Sequence, residues 1–252
     1  MRNKNWTREQ VLACFSLYCR IPFGRFHRLN PEIIDFADAI RRTPSAVAMK
    51  LSNFASFDPA HKLRNVRGLS NASDLDREIW ADFENSPNRI AAQSEEAFNK
   101  LAAAVQGPAE SELKMPEGPT EKPLTRPMRL VQIFFRRTVL SSYGYRCAFC
   151  GLEIRLLLNA SHIVPWNVSE ALRADPRNGF CLCVLHDRAF DRRLISVDID
   201  SRLMISSRLK VKNPAPLHKV GFVDLEGKRI NLPGRFLPDA TCLEYHRSNF
   251  VP

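Results

Sequence analysis

The chain has 252 residues, a net charge of +10 and seven cysteines. Its hydrophobic content of 44% and charged content of 25% are ordinary for a globular protein, and no apolar run approaches the roughly 20 residues that span a bilayer. The odd cysteine count and an N-terminus without an apolar stretch argue against a secreted disulfide framework. We therefore expect a cytoplasmic protein.

The positive charge is concentrated in two blocks. Residues 1–67 hold 12 Lys and Arg against 5 Asp and Glu, a net charge of +7, and residues 129–252 hold 19 against 11, a net charge of +8. Between them, residues 68–106 carry a net charge of −4 (3 against 7) and residues 107–128 a net charge of −1 (3 against 4). Two basic blocks indicate two surfaces for a polyanion, although solvated arginine-rich helices would give the same totals.

The N-terminal part is predicted to be helical. Three short helices begin at capping residues, and the second and third continue with proline, which suits the first helical position. Two further helices are predicted over residues 73–83 and 87–105. The three capped starts are Thr7 (with Gln10 completing a capping box), Asn30-Pro31 and Thr43-Pro44.

The third helix has a small, polar face and follows two arginines, which suits a helix-turn-helix type of DNA-binding module. Small residues let such a helix lie deep in the major groove, and flanking cations would contact phosphates. A plain helical subdomain with a solvated third helix is the alternative. The predicted DNA contacts are Arg41, Arg42, Ser45 and Lys50, on or beside the face that carries Ala48, Ser52 and Asn53.

A proline-rich segment follows. Residues 107–127 contain five prolines, two glycines and almost no large apolar side chain, so they cannot bury a core. We predict a helical, DNA-binding domain over residues 1–105, a flexible linker over 106–128 and a second domain over 129–252.

Four potential zinc ligands form two pairs with equal spacing. Cys147 and Cys150 are followed by Gly151, which permits the tight turn of a knuckle, and Cys183 and His186 form the second pair. Zinc prefers four nitrogen or sulfur ligands in a tetrahedron, and paired spacings of this kind supply them without strain. We predict a structural zinc site; three buried thiols and a histidine with another role are the alternative.

A strand, a loop, a second strand and a helix are predicted around this cluster. The first strand leads to His162, which can act as a base near neutral pH. On the helix, Asp187 and Asp191 lie one turn apart, where like charges are mildly destabilising unless a cation lies between them. Neutralisation by neighbouring arginines is the alternative. His218 and His246 have no companions at ligand spacing and are predicted to be surface residues.

This arrangement resembles the HNH (ββα-metal) endonuclease family, and within it a group of bacterial predicted restriction endonucleases. The resemblance covers about residues 146–196 and rests on Ala-Ser-His-Ile-Val-Pro-Trp at the strand end and Asn-Gly-Phe-Cys-Leu-Cys-Val-Leu-His-Asp-Arg-Ala-Phe-Asp at the helix start. It implies an α+β fold in which an HNH nuclease domain with a C-terminal wrap follows the helical domain. It also implies hydrolysis of double-stranded DNA by a restriction or defence enzyme, for which modified bases could be required.

The resemblance assigns roles to individual residues. His162 matches the general base, and Asn178 matches the residue that braces its loop. Asp187 and Asp191 match ligands of a catalytic Mg²⁺ or Mn²⁺, and Ser161 stands where many relatives carry an acidic or histidine ligand. An acidic site with few imidazoles favours Mg²⁺ or Mn²⁺ over a transition metal.

Further expectations follow from the resemblance. The structural zinc ligands are Cys147, Cys150, Cys183 and His186, and the arginines available to grip phosphates are Arg177, Arg188 and Arg192. Cutting both strands with one site per chain favours a homodimer. Because Ser161 departs from the pattern, a catalytically degenerate DNA-binding regulator remains an alternative, as does an RNA-directed nuclease.

Overall fold

The computed structural model describes residues 5–62, 72–102 and 125–252. The chain divides into two compact units, residues 1–134 and 135–252. The architecture mixes helices with two small antiparallel sheets, which confirms the α+β class. In the described ranges, no helix combines the length and the apolar character that a membrane crossing requires.

The predicted linker falls mainly on residues 106–124, which lie outside the described residues. The last three residues of the predicted linker, 126–128, belong to the next helix, which begins at Arg126. The boundary between the two units lies within that helix, between Phe134 and Phe135.

The first unit is helical, and its helices begin where capping residues predicted them. The Thr7 hydroxyl accepts a hydrogen bond from the amide of Gln10, and the side chains of Asn30 and Thr43 cap the next two long helices. Ser73 and Asp76 form a second capping box that the prediction did not name. The helices are α1 (Arg8–Arg20), α2 (Pro31–Ala39), α3 (Pro44–Phe57), α4 (Pro59–Lys62), α5 (Asp74–Asn85) and α6 (Pro87–Ala102).

Aromatic rings form the centre of this unit. The Phe15 ring lies 5.2 Å from that of Phe54 and 5.0 Å from that of Phe83, measured between centroids. Phe134 stacks on Phe15 at 6.1 Å and belongs to the same core. Aromatic pairs at such separations add about 0.5–1.5 kcal/mol each beyond the burial of their area.

The polar residues of α3 do not form the free face that was predicted. The Lys50 ammonium is buried and pairs with the Asp76 carboxylate at 2.8 Å, and the Asn53 amide donates to the same carboxylate at 2.9 Å. The prediction that Lys50 contacts DNA is therefore wrong, because its charge is already neutralised inside the unit by the N-terminal turn of α5. Ala48 is buried as well.

The second unit is built around a β-hairpin and a helix. It contains the C-terminal part of α7 (Arg126–Ser142), β1 (Leu158–His162), β2 (Gly179–Cys183), α8 (Val184–Asp191), β3 (Ile195–Val197), β4 (Leu203–Ile205), α9 (Pro216–Gly221) and α10 (Ala240–Ser248). Antiparallel β1 and β2 pair Leu158 with Cys183 and His162 with Gly179, so the cysteine and the histidine lie at opposite ends of the hairpin. This is the strand, loop, strand and helix order that the sequence predicts.

Helix α7 packs closely against one end of this hairpin. A Cβ atom added to Gly179 would lie 2.6 Å from Cγ2 of Val139 and 2.8 Å from Cζ of Phe135. Both separations are shorter than carbon atoms tolerate, so a residue without a side chain is required opposite His162. Gly179 is thus the contact point for α7.

The C-terminal residues join the same core, and one of their histidines is internal. Leu225, Ile230 and Cys242 are buried with the hairpin residues. His246 on α10 is 1% exposed and stacks on Phe190 with the ring centroids 3.7 Å apart. The prediction that His246 lies on the surface is wrong, because spacing along the sequence does not reveal a stacking partner.

Candidate functional site

The four predicted zinc ligands come together in the structure. Their ligand atoms, the sulfurs of Cys147, Cys150 and Cys183 and a ring nitrogen of His186, all lie within 4.8 Å of one another. Nδ1 of His186 lies 3.1 Å from Sγ of Cys183 and 3.6 Å from Sγ of Cys147, and the sulfurs of Cys150 and Cys183 are 4.0 Å apart. A tetrahedral zinc with bonds of about 2.3 Å to sulfur would hold its ligand atoms roughly 3.7 Å apart. The donor set and the spacing fit a zinc ion.

Local backbone geometry produces this convergence. The amide of Cys147 donates to the carbonyl of Leu152, and the amide of Gly151 donates back to the carbonyl of Cys147. Gly151 has a φ of 78°, which favours glycine and closes the knuckle. Cys183 is the last residue of β2 and His186 lies in the first turn of α8, so one sharp strand-to-helix transition presents both ligands.

The environment of His186 is that of a metal-ligating imidazole. Its Nε2 lies 2.8 Å from the carbonyl oxygen of Gly221, so an N–H there donates and leaves Nδ1 to face the three sulfurs. Such a second hydrogen bond fixes the orientation of a metal-binding histidine. Burial alone would lower the pKa of His186, but hydrogen bonds with Cys147 and Cys183 raise it to about 10. Hydrogen bonds from Cys150, Cys183 and His186 hold the pKa of the Cys147 thiol far below its usual value.

His162 lies at the other end of the hairpin, with its ring between two aromatic side chains. The Phe135 ring of α7 stacks on it at 3.7 Å and 9°, and the Trp166 ring approaches it edge-on at 5.6 Å. Its Nε2 lies 3.1 Å from the carbonyl oxygen of Arg173, so an N–H there donates and the lone pair is on Nδ1. Burial lowers the pKa of His162 to about 4, which keeps the imidazole neutral at pH 7.

Asn178 connects the two ends of the loop that follows His162. Its side-chain oxygen accepts from the amide of Val164 at 2.7 Å, and its side-chain nitrogen donates to the carbonyls of Val164 and Leu172 at 3.1 and 3.3 Å. Its own carbonyl accepts from the amide of Ile163. These are the hydrogen bonds that a residue bracing the loop needs.

Asp187 is half-buried and receives a hydrogen bond on each carboxylate oxygen. The side-chain amide of Asn159 donates to Oδ2 at 2.7 Å, and the hydroxyl of Ser161 donates to Oδ1. Ser161 is itself buried. In this structure, Ser161 therefore donates a hydrogen bond to the carboxylate of Asp187, whereas the family resemblance places Ser161 at the position of a metal ligand.

Two further charged groups lie near Asp187. Asp191 lies one turn along α8, and partial burial of its carboxylate and the negative charge of Asp187 raise its pKa. On α7, a guanidinium nitrogen of Arg136 donates to the carbonyl of Leu158 at 3.0 Å, and its charge also acts on Asp187. A cation near the two carboxylates would relieve their repulsion.

The side chain of His162 and the carboxylate of Asp187 lie on different sides of the hairpin. Neighbouring residues of a strand point to opposite faces; Ser161 contacts Asp187 on α8, whereas the next residue, His162, contacts Phe135 on α7. A joint action of His162 and Asp187 would therefore run through water and substrate between them.

The predicted DNA-binding residues have different surroundings. Arg41, Ser45, Arg188 and Arg192 are exposed. Arg42 is half-buried, with its guanidinium 2.9 Å from the carbonyl of Asn5 and stacked over Trp6, and Arg177 makes a bidentate pair with Asp175. Those two arginines already have partners within the protein.

The residues that the sequence prediction missed are those that support the site. Asn159 lies two residues before Ser161, so the alternation of a strand could have placed it on the same face. Phe135 and Arg136 lie on α7, outside the strand, loop and helix pattern, and only tertiary packing brings them to the hairpin.

Comparison with known families gives one finding. The family described as HNH endonuclease matches residues 147–198. A search of curated proteins finds no match. In the ranges that the structure describes, the three cysteines and the histidine are the one group of three or more His, Cys, Asp or Glu side chains that could share a metal ion. Residues 147–198 therefore form an HNH endonuclease domain in the C-terminal half of the chain.

Proposed function

We propose that this protein is a metal-dependent endonuclease that hydrolyses phosphodiester bonds in double-stranded DNA. The observation that carries the proposal is the family match over residues 147–198, a range that contains His162, Asn178 and Asp187. The net charge of +8 over residues 129–252 favours a polyanionic substrate.

His162 acts as the general base. Its Nε2–H is directed at the carbonyl of Arg173, so Nδ1 accepts the proton of a water molecule. The oxygen of that water forms a bond to phosphorus, the bond from phosphorus to the 3′ oxygen breaks, and solvent protonates the leaving oxygen. The products carry a 5′-phosphate and a 3′-hydroxyl. Phe135 and Trp166 keep the ring in one plane during the transfer.

Asp187 and Asp191 would hold the catalytic cation, Mg²⁺ or Mn²⁺. Mg²⁺ is often bound by one or two carboxylates together with water and substrate phosphate, so the few protein ligands here are sufficient. When bound, the cation supplies stabilisation of the charge that develops on the phosphate and on the leaving oxygen. Arg188 and Arg192, exposed on or beside α8, supply positive charge to flanking phosphates.

We further propose a role in restriction or defence against foreign DNA, with the enzyme active as a homodimer. The resemblance to bacterial predicted restriction endonucleases supports the role, and the need to cut two strands with one site per chain supports the dimer. Cleavage of matched modified and unmodified DNA, with the ends mapped, tests the role. Light scattering with and without DNA tests the dimer, and a monomer in both states would contradict it.

Replacement of the base tests the mechanism. His162→Ala should lower the rate of plasmid cleavage in Mg²⁺ or Mn²⁺ by about 10²–10⁴-fold, which is the usual contribution of general base catalysis. Binding of the same DNA should be retained, because the ring contacts its own loop and α7. The control is His27→Ala, which removes an exposed histidine of the first unit. Wild-type cleavage by His162→Ala would exclude His162 as the base.

A second candidate is a DNA-binding regulator on a catalytically inactive HNH scaffold. The observation that favours it is the hydrogen bond from Ser161 to Asp187, where a further metal ligand was expected. Purified protein incubated with plasmid and Mn²⁺, with an EDTA control, separates the two candidates. Retention of intact plasmid together with salt-sensitive DNA binding would favour the regulator.

A further inference from the structure

Two residues of β1 hold the carboxylate of Asp187 from the same side. Asn159 and Ser161 are two residues apart on a strand, so their side chains leave the same face. Asn159 donates to Oδ2 at 2.7 Å and Ser161 donates to Oδ1. Since each donor takes a different oxygen, the plane of the carboxylate is fixed as well as its position.

This arrangement leaves part of the carboxylate available. An ionised carboxylate has about four lone-pair positions, and the two hydrogen bonds occupy two of them. Ser161 is buried, whereas Asn159 and Asp187 are half-buried. The two donors thus orient an acceptor whose remaining lone pairs can bind a ligand.

We propose that Asn159 and Ser161 are positioning residues that orient Asp187 to bind a divalent cation. This inference rests on the proposed nuclease function. Asn159 has no assigned role in the sequence motifs, and Ser161 changes its role from ligand to donor. The arrangement explains how a site with few protein ligands holds its cation, because hydrogen bonds to a ligating carboxylate fix its geometry before the cation binds.

A structural role for the same hydrogen bonds makes a different prediction. Asp187 lies in the first turn of α8, where a negative charge stabilises a helix by interaction with its dipole. If Asn159 and Ser161 served only that helix, their removal would lower thermal stability and leave cation affinity unchanged. Cation affinity and stability must therefore be measured on the same variants.

The experiment measures Mn²⁺ binding to the full-length, zinc-loaded protein by electron paramagnetic resonance. Asn159→Ala and Ser161→Ala should each raise the Kd for Mn²⁺ by about 10–100-fold, the usual effect of removing a group that supports a metal ligand. Ser161→Thr keeps the hydroxyl and should restore most of the affinity. Asn213→Ala, at an exposed position, is the control and should bind as the wild type does.

The outcomes separate this inference from the proposed function. Unchanged Mn²⁺ affinity in both alanine variants would overturn the inference, whatever their thermal stability, as would unchanged affinity in Asp187→Ala. Wild-type protein that binds Mn²⁺ through Asp187 but leaves DNA intact would contradict the nuclease and leave the inference standing. If cleavage occurs, saturating Mn²⁺ should restore most of kcat in Asn159→Ala, because a positioning residue acts through the affinity for the cation.

Discussion

Two neighbouring residues of α8 belong to two groups of side chains that differ in burial and in the number of protein ligands. His186 is buried among three sulfurs and makes its remaining hydrogen bond to Gly221, so the protein supplies the whole set of ligands. Asp187, the next residue, is half-exposed and receives one hydrogen bond on each carboxylate oxygen. As proposed, the first site leaves no position for a further ligand, and the second keeps positions for water and phosphate.

The difference shows how one short helix can serve both stability and chemistry. Structural zinc sites use four protein ligands, whereas catalytic sites keep positions for water or substrate. Because His186 and Asp187 are adjacent, the closed site fixes the position and rotation of the turn that carries the open one. Damage to the cysteine cluster should therefore affect both sites, whereas changes around Asp187 should affect only the second.

The largest effect is expected from loss of the cluster. Cys183→Ser removes a ligand between β2 and α8, and zinc binding to small structural sites is worth about 10–16 kcal/mol. We expect elemental analysis to find less than half of the zinc of the wild type, which should hold about one ion per chain, and thermal unfolding of the second unit to occur at a much lower temperature. DNA cleavage should be lost with the fold.

A thiol outside the cluster provides the control for this prediction. Cys14 is buried in α1, where burial raises the pKa of its thiol above the usual range. Cys14→Ala should retain the full zinc content. Equal zinc content in Cys183→Ser and the wild type, or folded protein free of metal, would show that the four side chains do not form a zinc site.

The contact between α7 and the hairpin is the next test, with an intermediate effect. Gly179→Ala places a methyl group 2.6 Å from Val139, and overpacking of this kind costs about 1–3 kcal/mol. Since Phe135 would also have to move, the cleavage rate should fall while the zinc content stays unchanged. Urea unfolding and zinc analysis measure the two quantities.

A double variant shows whether this contact is the cause. Adding Val139→Ala to Gly179→Ala removes the nearest clashing atom, so the two changes should be less destabilising together than the sum of their separate costs. Strict additivity would mean that the backbone of the hairpin, and not the side chains of α7, determines the need for glycine.

The sequence predicted local elements well because their signals are local. The capping residues Thr7, Asn30 and Thr43 marked three helix starts, and the spacing of Cys147, Cys150, Cys183 and His186 identified a cluster that the structure assembles. Both depend on residues that are close in sequence or share a motif.

The predictions that failed concern partners distant in sequence. The polar helix face beside Lys50 predicts a DNA contact, but Asp76, 26 residues away, neutralises the charge of Lys50 in the interior. Phe135 reaches His162 from a separate helix, and Asn159 contacts Asp187 only because α8 packs on β1. A pattern along the chain identifies the type of a side chain, but its partner depends on the tertiary fold.

The smallest expected effect is on the pH dependence of stability, and it arises from two stacked histidines. His162 and His246 each lie 3.7 Å from a phenylalanine ring and have an Nε2 near a backbone carbonyl. Burial lowers the pKa of His162 to about 4, and burial with the charge of Arg193 lowers that of His246 to about 3. His162 lies at the loop end of the hairpin, beside the loop that Asn178 braces, whereas His246 lies on α10.

In the unfolded chain both histidines titrate near pH 6.5. Between pH 6.5 and 4 the unfolded chain therefore binds protons that the folded protein does not, so their contribution to stability is complete above pH 6.5 and declines as the pH falls. His246→Gln should reduce the slope of unfolding free energy against pH, measured by urea unfolding from pH 6 to 5, by about 1.4 kcal/mol per pH unit, which corresponds to one proton. His27→Gln, at an exposed position, should leave the slope unchanged. An unchanged slope in His246→Gln would mean that His246 is protonated inside the folded protein, and the hydrogen bond from Ser196 to Nδ1 would then be impossible.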